Sequence, residues 1–485
     1  MLTYQDFEKV RDRENEKVLF ISRAINAHKA SADYILAETA DEYDKQKNSF
    51  ITQFAKKWYE NEDTRDIVLC NNLFHRLNTQ RCTYSLGNGI SFSNDKNEGQ
   101  KIKEKLGAKI DDVLYIGAYN ALIHKVSYFF FNVGKVHNFK MREFVALRDE
   151  DTDEIRAGIR FWQIDQDKPC FAVLYEEDGY TKYKGKSGFT DMVMTEEKKP
   201  YIVHTATTEA LGTKIVGTEN YGKLPIVAMY GSRLEQSTLV GMKRKLDALD
   251  LIQSGFADNV ANIQQIYWII DNAGGMKSKD LRKFRDDLMN DKVATINSIA
   301  DGVKITPYQN AVPTAAHENC IKDLKASIYE DFGALDVHTI SASATNDHID
   351  AAYQPMDENA DDFEYQIIGL VRNLLAFAGV DEEDATPLFQ RNRVSNQKET
   401  TDMVLSASQY LDDEAVLSHL PFISVDEKDE ILNRKAEMDM ERFGAEEETE
   451  EDVDTTEEEA DMDNKYLTEF SDDIMAKLES LLSEG

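Results

Sequence analysis

Two apolar stripes at helical spacing, bracketing a compact insertion of mixed texture, constrain this chain more than any other feature. Leu246, Leu249, Ile252, Phe256, Val260, Ile263 and Tyr267 recur at steps of three and four, which predicts one long helix. Ile321, Leu324, Ile328 and Phe332 predict a second, opened by Pro313-Thr314 and ended by Gly333. Between them, Gly274-Gly275 stops the first helix and "KSKDLRKFRDDLMND" predicts a small one, with Ser278 as N-cap and Leu281, Phe284 and Leu288 turned inward. The segments "VATIN" and "GVKITPY" predict two short strands that close the insertion. Such an arrangement is a stalk with a tip. Its first helix is unusual, because Asn259 to Ile270 has no charged side chain in a chain of formal charge −34.

Upstream the chain has a different texture. Tyr4 to about Tyr59 is helical and charged, "CTYSLGNGISFSND" holds a turn at Gly87-Asn88-Gly89 and a short strand at "ISF", and a helix is predicted near Lys109 to Ala121. Strands follow at "VSYFFFNVG", "REFVALRDE", "AGIRFWQID", "CFAVLYEED", "TKYKGKS" and "LPIVAMYG", separated by turns bearing Asp and Gly. The first 235 residues therefore predict one α+β domain. Downstream, "DVHTISASATNDHIDAAYQPMDEN" is small and polar, then Ile367, Leu370, Val371, Leu374 and Leu375 mark a strong helix from about Ala360 to Ala378. A helical region runs to about Phe443. Glu446 to Asp463 has no basic residue and predicts a solvated tail, and Phe470, Ile474, Leu478 and Leu481 regain helical spacing after it.

Several functional classes fail on the residues. The N-terminus has no apolar signal region, and no stretch reaches the roughly 18 apolar residues of a membrane span, so no membrane partner is expected. Cys70, Cys82, Cys170 and Cys320 show no CxxC pairing and read as reduced core thiols. Gly185-Lys186-Ser187 imitates a phosphate loop, but Gly179 lies one residue too far away, among strand formers. "HENCI" lacks the second histidine of a zinc helix, leaving His317 as a polar surface residue. "DEDTDE" opens like a calcium loop but has Glu154 for its glycine and Arg160 for its bidentate glutamate. Asp347, His348 and Asp350 have no nucleophile nearby in sequence. No catalytic residue, metal or cofactor is expected, and the acidic balance excludes tight, indiscriminate grip on nucleic acid.

Taken in order, "CTYSLGNGISF", "FVALRDEDTDEIRAGIRFW", "LPIVAMYGSR" and "LDALDLIQSGFADNVANIQQIYWI", with the late helix after a polar loop, resemble the portal proteins of long-tailed bacteriophages. The resemblance covers residues from about Asn71 to Phe443. It implies an elongated α+β subunit that joins a cyclic ring, typically of twelve copies, at one capsid vertex. Its parts would be an α/β wing region at 1–240, a first stem helix at 241–270, a small α/β clip at 271–312 and a second stem helix at 313–335. A tunnel loop at 336–356, a long wing helix at 357–380, a helical crown at 381–443 and an acidic tail with a C-terminal amphipathic helix at 444–485 would follow. Pro355 falls at the expected start of the wing helix and marks a boundary or a kink.

The same resemblance implies a structural virion protein, assembled in the host cytoplasm, that conducts double-stranded DNA during packaging and ejection. Terminase, the head-tail adaptor, and the major capsid and scaffolding proteins would be its partners. In the tunnel loop, Ser341, Ser343, Thr345, Asn346 and His348 would touch DNA weakly. Lys277, Lys279, Arg282, Lys283 and Arg285 of the clip would meet an acidic partner. Leu249, Phe256, Ile263 and Tyr267 of the stem would meet a neighbouring copy, where charges are costly to desolvate. The competing readings are a metal-dependent nucleic-acid hydrolase and a soluble acidic scaffold or adaptor.

Overall fold

In the computed structural model the described residues are 2–58, 67–92, 96–165, 167–208, 212–263, 267–271, 304–308, 314–337, 345–381, 386–393 and 397–410, with short pieces between 277 and 286 and between 415 and 435. The chain divides into two compact units, Met1–Val394 and Ser395–Gly485.

The first unit opens with helices α1 (Tyr4–Glu8), α2 (Glu14–Lys29), α3 (Ala32–Asp44) and α4 (Ser49–Trp58). Thr3 and Asp6 close a reciprocal capping box on α1, and Ser31 caps α3 through the Tyr34 amide. Then come α5 (Leu73–Leu86), β1 (Ile90–Phe92), α6 (Lys96–Leu106) and α7 (Ile110–His124). The sequence reading anticipated α7 and β1 but not α5 or α6. Helix α5 has no clean apolar stripe, being buried on several sides, Asn78 and Ser85 included, while α6 marks its inward face with Ile102 and Leu106 alone.

Strands β2 (Val126–Phe131) and β3 (Val136–Lys140) join a later one, β11 (Ile226–Tyr230), in a three-stranded antiparallel sheet. Every residue of β2 is buried, as the continuous run "VSYFFF" requires. Strands β4 (Phe144–Arg148), β5 (Ile155–Gln163), β6 (Cys170–Glu176), β7 (Gly179–Lys186) and β8 (Thr190–Lys199) form a five-stranded antiparallel meander. Strands β9 (Ile202–Thr208) and β10 (Gly212–Glu219) pair only with each other. The sequence reading missed β8, β9 and β10, whose described side chains are mostly exposed, Met192 of β8 being turned into the core.

One face of the meander packs Ile159, Phe161 and Leu174 on Phe7, Phe20, Ile21 and Ile25 of α1 and α2. Part of the other face meets the three-stranded sheet, where Phe144, Val173 and Tyr175 join Tyr128, Phe130 and Phe139. Gly117 of α7 lets that helix ride on β2, since a Cβ there would lie 2.2 Å from the Phe129 ring. Beyond β11 the unit continues with α8 (Leu239–Ile263), β12 (Tyr267–Asp271), β13 (Lys304–Tyr308), α9 (Thr314–Phe332), α10 (Asn346–Phe377) and β14 (Pro387–Phe389). Helix α10 packs on β11 and α5 and contributes Phe363, Ile367, Leu370, Val371 and Leu374 to the core shared with α7 and β2.

The second unit holds α11 (Gln397–Ala407) and a small cluster of Val404, Leu417 and Leu420. The acidic run and the C-terminal amphipathic segment lie outside the described residues.

Three sequence expectations change. The first stalk helix ends at Ile263 and not at Ile270: Tyr267–Asp271 is a strand paired antiparallel with Lys304–Tyr308. "YWII" is β-branched and aromatic, so its uncharged composition suits a strand as well as a helix. The long helix starts at Asn346, with Pro355 inside it. Residues 387–393 belong with the first unit, because β14 pairs with β1 and the Asn392 amide donates to the Tyr84 carbonyl at 3.0 Å.

Candidate functional site

Helices α8 and α9 lie antiparallel as two legs of one stalk. Lys245 Nζ reaches Ser327 Oγ at 2.6 Å and the Asp331 carboxylate near the base. Further out, the rings of Phe256 and His317 are 5.2 Å apart, and past the helix ends Tyr267 pairs with Tyr308. Partner numbers on the second leg fall in step as those on the first rise, so helix pair and strand pair form one continuous antiparallel arm. The 25 residues of α8 alone span about 37 Å.

Near the base, Leu246 and Leu249 pack against Ile328, Tyr329 and Phe332, with Leu73 and Leu77 of α5 alongside. Leu249 has no exposed surface, so it anchors the stalk to its own subunit and is not a contact between copies. Phe256 and His317 are half-buried against each other, which corrects the reading of His317 as a surface residue. The side chains of Ile263 and Tyr267 lie outside the described residues.

A second face of α8 bears a polar ladder that the apolar-stripe reading overlooked. Asp250, Ser254 and Asp258 sit one helical turn apart and point at an extended segment, residues 67–71. The Asn71 amide donates to Asp250 Oδ1 at 2.9 Å, the Leu69 amide to Ser254 Oγ at 3.0 Å, and the Ile67 amide to Asp258 Oδ1 at 3.0 Å. Alternate backbone N–H groups of one strand-like segment are thus taken up by side chains of a helix. Asn48 Nδ2 adds a bond to Asp250 Oδ2 at 2.9 Å, and Asp247 accepts from the Tyr43 hydroxyl and from Lys243 Nζ at 2.8 Å. Burial, opposed by the Asn48 and Asn71 hydrogen bonds but reinforced by the charge of Asp247, leaves the Asp250 carboxyl above its ordinary range. The signal was present in sequence as polar residues at positions 247, 250, 254 and 258, a second period-3.6 stripe beside the apolar one.

Beyond the strand pair, Lys277, Lys279, Arg282, Lys283 and Arg285 are all exposed, and residues 282–286 are helical with Phe284 buried. Arg285 pairs with its neighbour Asp286 at 2.8 Å, an exposed contact. The strand expected at "VATIN" lies outside the described residues.

Of the polar loop, Ser341 and Ser343 lie outside the described residues. Thr345 occupies the N-cap position of α10 with extended backbone, Asn346 opens the helix and His348 is exposed on its first turn. Asn346 and His348 are therefore on a helix and not in a loop. Pro355 lies exposed inside α10, and Asn359 Nδ2 donates to its carbonyl at 3.0 Å.

The outer half of α10 is clamped by the returning chain. Arg391 forks onto Glu364 at 3.0 and 2.8 Å and reaches Asp357 at 3.0 Å and Asp361. Arg393 meets Asp357, Asp350 at 3.2 Å and the Tyr84 hydroxyl at 2.7 Å. Asp350, a member of the tempting Asp-His-Asp group, is thus an ion-pair residue. Within the body, Asp41 receives buried His124 at 2.7 Å and Arg142. Burial raises the Asp41 carboxyl, yet the hydrogen bonds from His124 and Arg142 outweigh it and hold it well below the usual carboxylate range. Among the described residues no group of three or more His, Cys, Asp or Glu is arranged to hold a metal ion. No described helix is long and apolar enough to cross a membrane. Of the free cysteines, Cys82 and Cys170 are buried as expected, while Cys320 is exposed on α9.

A family model, phage portal protein, SPP1 Gp6-like, matches residues 22–453. The chain belongs to that family. It is 26% identical over 220 residues to the portal protein of Clostridium phage phiCD119, covering 44% of this chain and 48% of that one, so the chain spans about half that relative's length. To the portal protein of Bacillus phage SPP1 it is 22% identical over 409 residues, 78% of each. A chain of the virion of a native gene transfer agent particle superposes with a TM-score of 0.37 at 10% identity, covering 75% of this chain and 90% of that one, too loose a likeness to bear on the fold. This portal protein is a structural component of a virion, at the capsid vertex where DNA is packaged.

Proposed function

We propose that copies of this portal protein close into a ring, typically of twelve, whose central passage conducts double-stranded DNA during packaging and ejection. The arm of α8, α9 and the β12–β13 pair is the stem and clip. The observation that carries this reading is that arm: Leu246 and Leu249 bury its base against the body, and the helix pair runs on from there into the β12–β13 pair. Leu249 and the ladder at Asp250, Ser254 and Asp258 commit two faces of α8 to the subunit's own body. Farther out, Val260 is 45% exposed in an uncharged stretch, a surface suited to a neighbouring copy.

The basic cluster at Lys277, Lys279, Arg282, Lys283 and Arg285 fits an acidic surface of terminase or of the head-tail adaptor. In the tunnel segment at 336–356, Ser341, Ser343, Thr345 and Asn346, with His348 beside them, supply weak polar contacts that let phosphate slide without gripping it. Capsid and scaffolding proteins would meet the outer α+β body. Negative-stain imaging of the purified full chain tests the ring: closed rings with a central hole are expected. Monomers at micromolar concentration, alone and with scaffolding protein added, would refute it. Ile263→Glu should abolish the rings while leaving subunit melting unchanged, and intact rings in that variant would remove the stem helix from the interface.

A further inference from the structure

The face of the meander turned away from α1 and α2 bears a cross-strand row that its own subunit covers only at the Trp162 end, where Trp162 packs on the cluster shared with the three-stranded sheet. By register, Trp162 on β5 stands beside Phe171 on β6, Phe171 beside Lys184 on β7, and Lys184 beside Val193 on β8. The opposite face of the same strands is the one packed on α1 and α2. Trp162 and Phe171 are half-buried, Lys184 is exposed and Val193 is 65% exposed. The two rings stack at 5.5 Å, with Arg160 lying 5.0 Å over Trp162 and Lys184 5.9 Å over Phe171. On either side of Lys184 the lysines are neutralised, Lys182 by Glu196 at 3.2 Å and Lys186 by Asp191 at 3.2 Å. Lys184 and Arg160 have no carboxylate partner among the described residues.

We infer that this row is a contact surface for a second copy of the chain, taking an acidic patch of the neighbour onto Lys184 and Arg160 and an apolar side chain against Val193. The inference rests on the ring reading and adds a place to it, on the body and away from the stem. Each copy carries a net charge of −34, so copies approach one another against their own repulsion. At about 0.15 M salt that repulsion is screened beyond about 8 Å, and what decides association is the charge at the touching surfaces. A cation free of carboxylates, beside exposed apolar area, offsets it there. Charge complementarity selects the occupant: the chain has 90 acidic against 56 basic residues, so another copy presents carboxylates in excess. Nucleic acid fits less well, because the aromatic faces already stack on each other and under the Arg160 guanidinium, leaving no open ring for a base.

The test uses the full chain, half of it labelled with nitrogen-15, mixed as monomers before assembly and joined with a zero-length carbodiimide. Crosslinked peptides pairing Lys184 of one isotope with an Asp or Glu of the other are expected. Lys184→Glu and Val193→Asp, both at exposed positions, should raise the concentration of half-assembly about tenfold or more with unchanged subunit melting. Rings that form normally in both variants, with Lys184 crosslinked only within one isotope, would overturn the inference and leave the ring reading standing. Absence of rings from the unsubstituted chain would strike the ring reading itself. Intact rings whose retention of a 30-base-pair duplex is lost in Lys184→Glu would assign the face to nucleic acid and equally overturn the inference.

Discussion

Replacing Asp250 with alanine cuts the middle of the ladder that straps residues 67–71 to the first stem helix. Asp250 accepts three hydrogen bonds: from the Asn71 amide at 2.9 Å, from Asn71 Nδ2 at 2.5 Å and from Asn48 Nδ2 at 2.9 Å. Bonds to a charged acceptor contribute about 1.5–3 kcal/mol each, and buried Asn48, at 3% exposure, would keep for its Nδ2 only the 3.2 Å bond to Asp247. Against that stands the burial of the carboxylate itself, which the raised pKa registers, so the net loss is about 3 kcal/mol. Hydrogen exchange followed by mass spectrometry on the peptide spanning residues 67–71 reads the loss directly. Opening freed by about 3 kcal/mol accelerates exchange at Leu69 and Asn71 by about a hundredfold. Asp250→Asn, which keeps one acceptor oxygen and sheds the buried charge, should give a smaller change. Unaltered protection in Asp250→Ala would refute the reasoning, because the strap would then be held by something other than these side chains.

Asp41→Asn should destabilise the body by about 2 kcal/mol at pH 7. A carboxyl whose folded pKa is depressed contributes stability above its unfolded value near 3.9, and that stability is lost as pH falls. The gap between Asp41→Asn and the unsubstituted chain in urea titrations should therefore close between about pH 5 and pH 2, and a gap independent of pH would contradict the assignment. Arg391→Ala leaves the buried Glu364 without its fork and should cost about 3 kcal/mol, seen as faster exchange in Pro387–Phe389 with the meander unaffected. Gly158→Ala would drive a Cβ to within 2.0 Å of the Phe144 ring, an overpacking that lowers stability by about 1–3 kcal/mol in thermal or urea melts.

Much of the fold was legible because burial writes a period into the chain. The stripe from Leu246 to Phe256 and the late helix around Leu370 each carry one, and the run "VSYFFF" was legible as an unbroken apolar stretch. Where no period exists, the reading failed: α5 is covered on several sides, and β8 to β10 face solvent on most of theirs. The uncharged stretch from Asn259 to Ile270 misled in a subtler way. It is free of charge throughout, yet it crosses from helix into strand, since lack of charge does not distinguish the two.

Sequence alone determined the order of parts: an α+β body, a two-helix arm with a basic tip, a long apolar helix and an acidic end. That order follows from local spacing and composition, which every residue carries with it. Tertiary structure alone decided that Leu249 faces its own core, that Asp250, Ser254 and Asp258 hold the backbone of residues 67–71, and that Arg391 and Arg393 return to clamp α10. Those partners lie up to 309 positions apart along the chain, and even the periodic polar stripe at 247, 250, 254 and 258 carries no mark of which distant backbone it will hold. Donor and acceptor meet only after the elements that carry them have packed.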